Sequence, residues 1–182
     1  MPIELHKTMY EQQQDAHALL NVIQGLIENK QTNTSIQALD NKILEGLIQL
    51  YAIGTNIEDS KSGSAIDPND ITQIGEYGFN FLTELLQWAH TNHRRDFTKS
   101  THQLILSLSL WITNHGGELR TLEPIVDAFA KTANKTMDDS QLKKLVIMMD
   151  NIIQGCSEII KSDLEKNNPL RPWRVIHLNR AI

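Results

Sequence analysis

Residues His102–His115 read HQLILSLSLWITNH, and whether they form a strand or a helix determines the class of the fold. Leucine alternates with serine in its middle, which is typical of a half-buried strand. A lone strand has no partner for its backbone hydrogen bonds, and no other part of the chain alternates so clearly. We therefore predict a helix that is apolar on nearly all sides and lies at the centre of the fold. The pair Gly116-Gly117 predicts its end, because glycine tolerates the left-handed conformation that follows many helices.

Helical periodicity continues on both sides of this segment. The predicted helices cover about 4–29, 35–54, 67–91, 94–115, 121–135 and 140–164, and a short seventh element begins at Pro172. Ser35 and the pair Asp67-Pro68 are signals for helix starts, because their side chains can cap free backbone amides or fit the first turn. The run 167–169, Asn-Asn-Pro, predicts a helix end, because the residue before proline avoids the helical region.

The helix starts near residues 4, 35, 68, 94, 120 and 140 pair the helices into three antiparallel hairpins. No internal repeat signature accompanies this pairing. We therefore predict one all-α domain over 1–182, built as an irregular α-α superhelix or a helical bundle with a short C-terminal helix. The polar stretch 55–66 lacks the apolar surface needed to offset ordering, so we predict a flexible loop there.

Three small residues carry more detailed predictions. Gly75 and Gly78 weaken the third helix, and we interpret them as places where a neighbouring helix approaches closely. Cys156 lies within an apolar stripe that runs unbroken through about 25 residues of the sixth helix. A cysteine in such a stripe usually behaves as a small core residue, so we predict a structural role rather than a nucleophile.

Composition excludes several classes of protein. The chain has 182 residues, with 17 Lys and Arg against 22 Asp and Glu, for a net charge of −5. This charge weighs against a protein that binds nucleic acid through a broad basic surface. The single cysteine cannot form an internal disulfide, and no apolar run approaches the ~20 residues of a membrane span. These features predict a cytoplasmic protein without a membrane association.

A local basic patch, Trp88 to His102, interrupts the acidic composition. It contains Trp88, His90, His93, Arg94 and Arg95 at the turn between the third and fourth helices. These residues could bind an acidic peptide, a phosphate or a nucleic-acid backbone, with the arginines contacting paired oxygens and Trp88 as an apolar base. A solvated turn is the favoured interpretation, because cations at a helix C-terminus are stabilised by the helix dipole without any ligand.

The same patch offers weak metal-ligand spacing. His90 and His93 are three residues apart, and Asp96 follows after three more. The charges of Arg94 and Arg95 oppose a divalent cation there. We predict no metal and no cofactor.

The C-terminal segment 167–182 is the second candidate interaction region. Arg171, Trp173 and Arg174 give it the aromatic and arginine composition of interface hot spots. Trp173 could instead fold back onto the sixth helix. If residues 172–182 form an amphipathic helix without a partner in this chain, their apolar side needs cover, and a second copy could supply it. This predicts a homodimer formed through the C-terminal element.

These observations favour a non-catalytic helical scaffold or adaptor that binds a protein or peptide, because the chain contains no recognisable catalytic motif. The alternative is a domain that responds to a small molecule or metal, perhaps as an enzyme, through His90, His93 and His115. Histidines that converge on a deep pocket would favour this alternative, whereas scattered histidines beside an apolar groove would favour the scaffold. Specific nucleic-acid binding through the basic patch is a third hypothesis.

Overall fold

The computed structural model describes residues 7–28, 41–60, 66–135, 138–162 and 171–180. Its helices are α1 Met9–Glu28, α2 Asn41–Asp59, α3 Pro68–Thr91, α4 Arg95–Asn114, α5 Glu123–Ala133, α6 Asp139–Gly155, α7 Glu158–Lys161 and α8 Pro172–Arg180. Within these ranges the backbone forms helices and one isolated bridge, and no strand. The all-α class is confirmed, whereas the arrangement as three hairpins stays a prediction. The predicted signals at Ser35 and at 167–169 lie outside the described residues.

Helix α4 is the centre of the fold, as the sequence predicts. It packs against α1, α3, α5 and α6, and 11 of its 20 residues are buried. Its hydroxyl groups bond to their own helix, since Ser109 Oγ donates to the carbonyl of Ile105 at 2.7 Å. The Thr101 hydroxyl makes the equivalent bond, at 2.8 Å, four residues back. This bonding allows serine and threonine to lie in a buried helix without an unpaired polar atom.

Two glycines allow α3 to approach α4 closely, which confirms the interpretation of Gly75 and Gly78. A Cβ at Gly75 would overlap the side chain of Ile112 on α4. A Cβ at Gly78 would come within 2.6 Å of Leu108 on α4 and 3.0 Å of Leu50 on α2. Gly78 therefore lies at a point where three helices meet.

The end of α2 differs from the prediction. We expected the helix to stop near Gly54, but it continues to Asp59, so 55–59 are helical and not part of a loop. Gly54 is buried, and a Cβ there would overlap Met9 at the start of α1. The Met9 amide donates to both carboxylate oxygens of Glu58, at 2.8 and 2.9 Å. Gly54 therefore allows α1 and α2 to come into contact and does not end α2. Residues 61–65 of the predicted loop lie outside the described residues.

The sixth helix is shorter than predicted. It ends at Gly155, and Cys156 has an extended backbone that forms a parallel bridge with Leu119. Leu119 donates to the Gly155 carbonyl and accepts from the Ser157 amide, each at 2.9 Å. Because of these bonds to Leu119, 37 positions before Cys156, the backbone leaves the helical conformation after Gly155. The apolar spacing of the sequence nevertheless continues beyond this point. Cys156 is buried, and burial raises the pKa of its thiol to about 11, so its predicted place in the core is confirmed.

The close approach at Gly78 has a measurable consequence. We expect Gly78→Ala to lower the free energy of unfolding by about 1 kcal/mol. Alanine gains about 1 kcal/mol of helix propensity over glycine, but adding a methyl group to a packed core costs about 1–3 kcal/mol. Urea denaturation followed by circular dichroism measures the difference.

Gly25→Ala is the matched control for this substitution. Gly25 also lies inside a helix, but a Cβ there would meet no atom within 4 Å. We expect it to stabilise the protein by up to about 1 kcal/mol. A Gly78→Ala protein that gains as much stability as Gly25→Ala would show that the three helices do not meet as closely as described.

Candidate functional site

Trp88 belongs to the core and not to a binding surface. Its side chain is 6% exposed, and its ring packs edge-on against Phe97 of α4 with centroids 5.7 Å apart. The Arg94 guanidinium lies over the Phe97 ring, 4.4 Å from its centroid. The prediction of Trp88 as an exposed apolar base is wrong, because the apolar stripe of α3 that carries it faces α4.

Arg94 is engaged within the turn itself. Its Nη2 and Nε donate to the two carboxylate oxygens of Asp96, at 2.7 and 3.1 Å. These bonds hold the pKa of the Asp96 carboxyl below its ordinary value. His93 has a left-handed backbone with φ 54° in the same turn. His90, His93 and Arg95 are exposed, so the patch retains a few surface cations but neither its aromatic base nor a free Arg94 fork.

The three histidines of the alternative hypothesis lie apart. His90 lies in the last turn of α3 and His93 just after it, beside the start of α4, whereas His115 follows the end of α4. The 20 residues of α4 separate the two places by about 30 Å. His115 instead donates through Nδ1 to the Trp111 carbonyl at 2.8 Å. Among the described residues, no three His, Cys, Asp or Glu side chains are grouped for a metal ion. The structure therefore does not support a site built from these histidines.

His102 has a structural position that the sequence did not reveal. It is buried, and its Nε2 lies 3.2 Å from Oδ2 of Asp127, which links α4 to α5. Burial lowers the pKa of the His102 imidazole below its ordinary value, and the Asp127 carboxylate opposes part of this shift. The nearby charges of Lys135 and His90 lower the pKa further. Burial thus favours the neutral form of the ring.

The C-terminal residues contribute to the fold more than to a surface. Arg171 is 6% exposed, and Ile176 is fully buried. Trp173 is half-buried and packs edge-on against His177, with centroids 4.5 Å apart. Arg174 is half-buried as well. Self-association was inferred on the condition that the C-terminal helix has no partner in this chain, and α8 instead packs against α5 and α6. Ile176 is covered by this packing, whereas Leu178 stays 59% exposed, and self-association through α8 stays a prediction.

An apolar groove lies between α5, α6 and α8. Its volume is about 740 Å³. The walls are formed mainly by Phe129, Ala133, Leu142, Leu145, Val146 and Met149. Val146 is 37% exposed, and Ile147 beside it is 51% exposed. In the sequence, this groove is indicated by Ile147, which lies next to the apolar stripe of α6. It makes the apolar face of α6 broader than packing against one neighbouring helix requires.

Polar side chains border this groove. Asn134 at the end of α5, Asn179 near the end of α8, and Asp139 and Lys143 on α6 line its edge. Arg180 at the end of α8 forms an ion pair with Asp150 of α6 at 2.5 Å. This contact, together with the buried Ile176, holds α8 beside the groove, to which it contributes Asn179. The groove therefore combines an apolar floor with neutral and charged groups at its border, as binding grooves for helical peptides do.

Comparisons with known protein families, with curated proteins and with solved structures found no match for this chain. Within the described ranges, no helix combines the length and apolar character needed to cross a bilayer.

The buried His102 predicts a pH-dependent stability. Its pKa lies below the ordinary value of 6.5 in the folded protein, so the unfolded chain binds a proton more readily. We expect the contribution of this residue to be fully present above about pH 6.5 and to decrease as the pH falls below that value. Urea denaturation at several pH values between 5 and 8 measures the free energy of unfolding. If this free energy decreases towards low pH more steeply in the wild-type protein than in His102→Gln, the difference is due to His102.

Asp127→Asn tests how far the Asp127 carboxylate opposes the effect of burial on the His102 pKa. Removing the carboxylate removes the charge that raises the His102 pKa, so we expect that pKa to fall further. NMR titration of the histidine ring carbons reports it directly. Glu123→Gln, which removes a charge from the exposed first turn of the same helix, is the control and should leave His102 unchanged. A His102 pKa above 6.5, or a rise in Asp127→Asn, would contradict this account.

Proposed function

We propose that the protein is a non-catalytic helical scaffold that binds a partner protein or peptide in the groove between α5, α6 and α8. The observation that supports this proposal is the groove itself, where the apolar side chains of Val146 and Ile147 are exposed next to other apolar residues. Contiguous apolar surface at the edge of a soluble domain is costly and commonly marks an interaction site. The function predicted from the sequence is retained, and the binding region is moved away from the basic patch.

The dimensions of the groove suit a short helix. The wall contributed by α6 extends from Asp139 to Met149, a distance of about 15 Å along the helix axis. A partner helix of about three turns would cover this length with apolar side chains at i, i+3, i+4 and i+7. Its walls belong to helices packed on one core, so the groove is preformed and little ordering of the scaffold opposes binding.

An apolar small molecule is the second candidate occupant. The groove volume of about 740 Å³ falls in the range of about 300–1,000 Å³ that such ligands use. A compact ligand on the floor would leave Ile147 at the edge uncovered, whereas a helix would bury it. The peptide is therefore the better fit. We propose a cytoplasmic location as well, since the buried, unpaired Cys156 is compatible with a reducing compartment.

Site-specific photo-crosslinking tests the proposal. A benzoylphenylalanine in place of Ile147 should form an adduct with one defined partner segment in extracts of the native cells. The same residue in place of the exposed Gln73 on α3 is the matched control and should form none. The groove-filling substitution Ala133→Trp should abolish the adduct at position 147 without lowering the melting temperature. Mass spectrometry of the crosslinked peptide identifies the segment and its apolar spacing.

The outcomes separate the two occupants. A partner segment with helical apolar spacing at position 147 supports the scaffold. Equal adducts at positions 73 and 147, or an adduct that survives Ala133→Trp, would show that the groove is not the binding site. A lone chain that carries a small added mass in native mass spectrometry, lost in Ala133→Trp, would favour the small-molecule alternative.

A further inference from the structure

Helix α8 is held on the protein by few buried side chains. Within Pro172–Arg180, Ile176 is the one residue that is buried, and Leu178 is 59% exposed. Helix α5, which is two residues longer, has four buried residues, Ile125, Val126, Ala128 and Phe129. A helix of nine residues is also too short to be stable in water without tertiary contacts. The folded state of α8 therefore depends on its contacts with α5 and α6.

The two ends of α8 are held differently. Arg171, directly before the helix, is buried, and its carbonyl accepts the Val175 amide at 2.9 Å. Arg180, about 13 Å further along the helix, is held by its ion pair with Asp150 of α6. Both side chains of that pair are more than a third exposed, and exposed ion pairs contribute little stability. The start of α8 is thus held more firmly than its end.

From these contacts we propose that α8 is a latch, a helix that opens as a unit while the helices beneath it stay folded. The helix swings outward about Arg171 when the pair between Arg180 and Asp150 breaks, and Ile176 leaves its buried position. This step exposes one fully buried side chain of α8, so it requires much less free energy than global unfolding.

The open latch changes the groove at one end. The α6 residues that line the groove end with Met149, and the next residue, Asp150, is bound to Arg180. Asn179 lines the groove from α8 itself. The surface that α8 uncovers on α5 and α6 is therefore continuous with the groove, and opening lengthens it. The opening is a property of the free protein and does not rest on the proposed function.

Native-state hydrogen exchange of the full chain tests the latch. After correction for intrinsic rates, we expect the amides of residues 175–180 to exchange at least about tenfold faster than the hydrogen-bonded amides of α5. Amides that open together are equally protected, so these six should show one common protection factor. A protection that rises gradually from Arg180 towards Ile176 would show fraying of the helix end and overturn the latch. Exchange as slow as that of α4 would overturn it as well, because opening would then require global unfolding.

Asp150→Asn tests the ion pair that closes the latch. We expect it to speed the exchange of residues 175–180 by about two- to fivefold, the range that an exposed ion pair contributes. Glu76→Gln is the matched control, because Glu76 is similarly exposed and faces Arg120 at 3.9 Å, and it should leave this exchange unchanged. Added salt screens exposed pairs, so it should speed the exchange in the wild-type protein but not in Asp150→Asn. Equal effects of the two substitutions would show that this pair does not close α8.

Thiol labelling of Ile176→Cys measures the opening independently. The native Cys156, which is buried in the core, is the internal control, and peptide mass spectrometry separates the two thiols. We expect the thiol introduced at position 176 to react at least about tenfold faster than Cys156. Adding Asp150→Asn should increase only the rate at position 176. Equal rates at the two positions would show that α8 opens only when the whole protein unfolds, which overturns the latch and leaves the proposed function standing.

Discussion

The burial of α4 governs how the helices around it pack. On the side that α1, α3, α5 and α6 cover, no water can satisfy its polar side chains. The hydroxyls of Thr101 and Ser109 therefore bond to carbonyls of their own helix. Close packing around α4 likewise requires Gly75 and Gly78 on α3, where a side chain would collide with the buried helix. The burial of one helix thus limits which polar residues it can contain and requires small residues on its neighbour α3.

The groove follows from the same arrangement. Helices α5 and α6 each pack against α4, and α8 packs against both of them. Ile176 anchors α8 in the core, and the ion pair between Arg180 and Asp150 holds its C-terminal end on α6. The apolar surface of α6 is wider than these contacts require, so part of it, at Val146 and Ile147, remains exposed beside α5.

The sequence predicts the fold where a local signal and the tertiary contact agree. The segment around Ser109 is helical because a buried serine can bond within a helix, and the Asp67-Pro68 start is confirmed by a bond from Asn69 to Asp67. Prediction fails where the decisive partner is distant in the chain. The sequence gives no sign that Met9 occupies the space at Gly54, or that Leu119 ends α6. The burial of Trp88 and Arg171 was missed for the same reason, since it depends on how helices distant in the chain pack together.

The polar groups that burial affects most are used in the packing of the helices. Its most perturbed histidine, His102, is buried against Asp127 and joins two helices, and the Cys156 thiol is buried in the core. Arg94 and Asp96 satisfy each other within one turn. These groups are used by the fold itself, and none of them lines the groove between α5, α6 and α8. The groove presents mainly apolar side chains, with Asn134, Asp139, Lys143 and Asn179 at its border. Because its walls are helices packed on one core, no rearrangement of these helices is needed to form it.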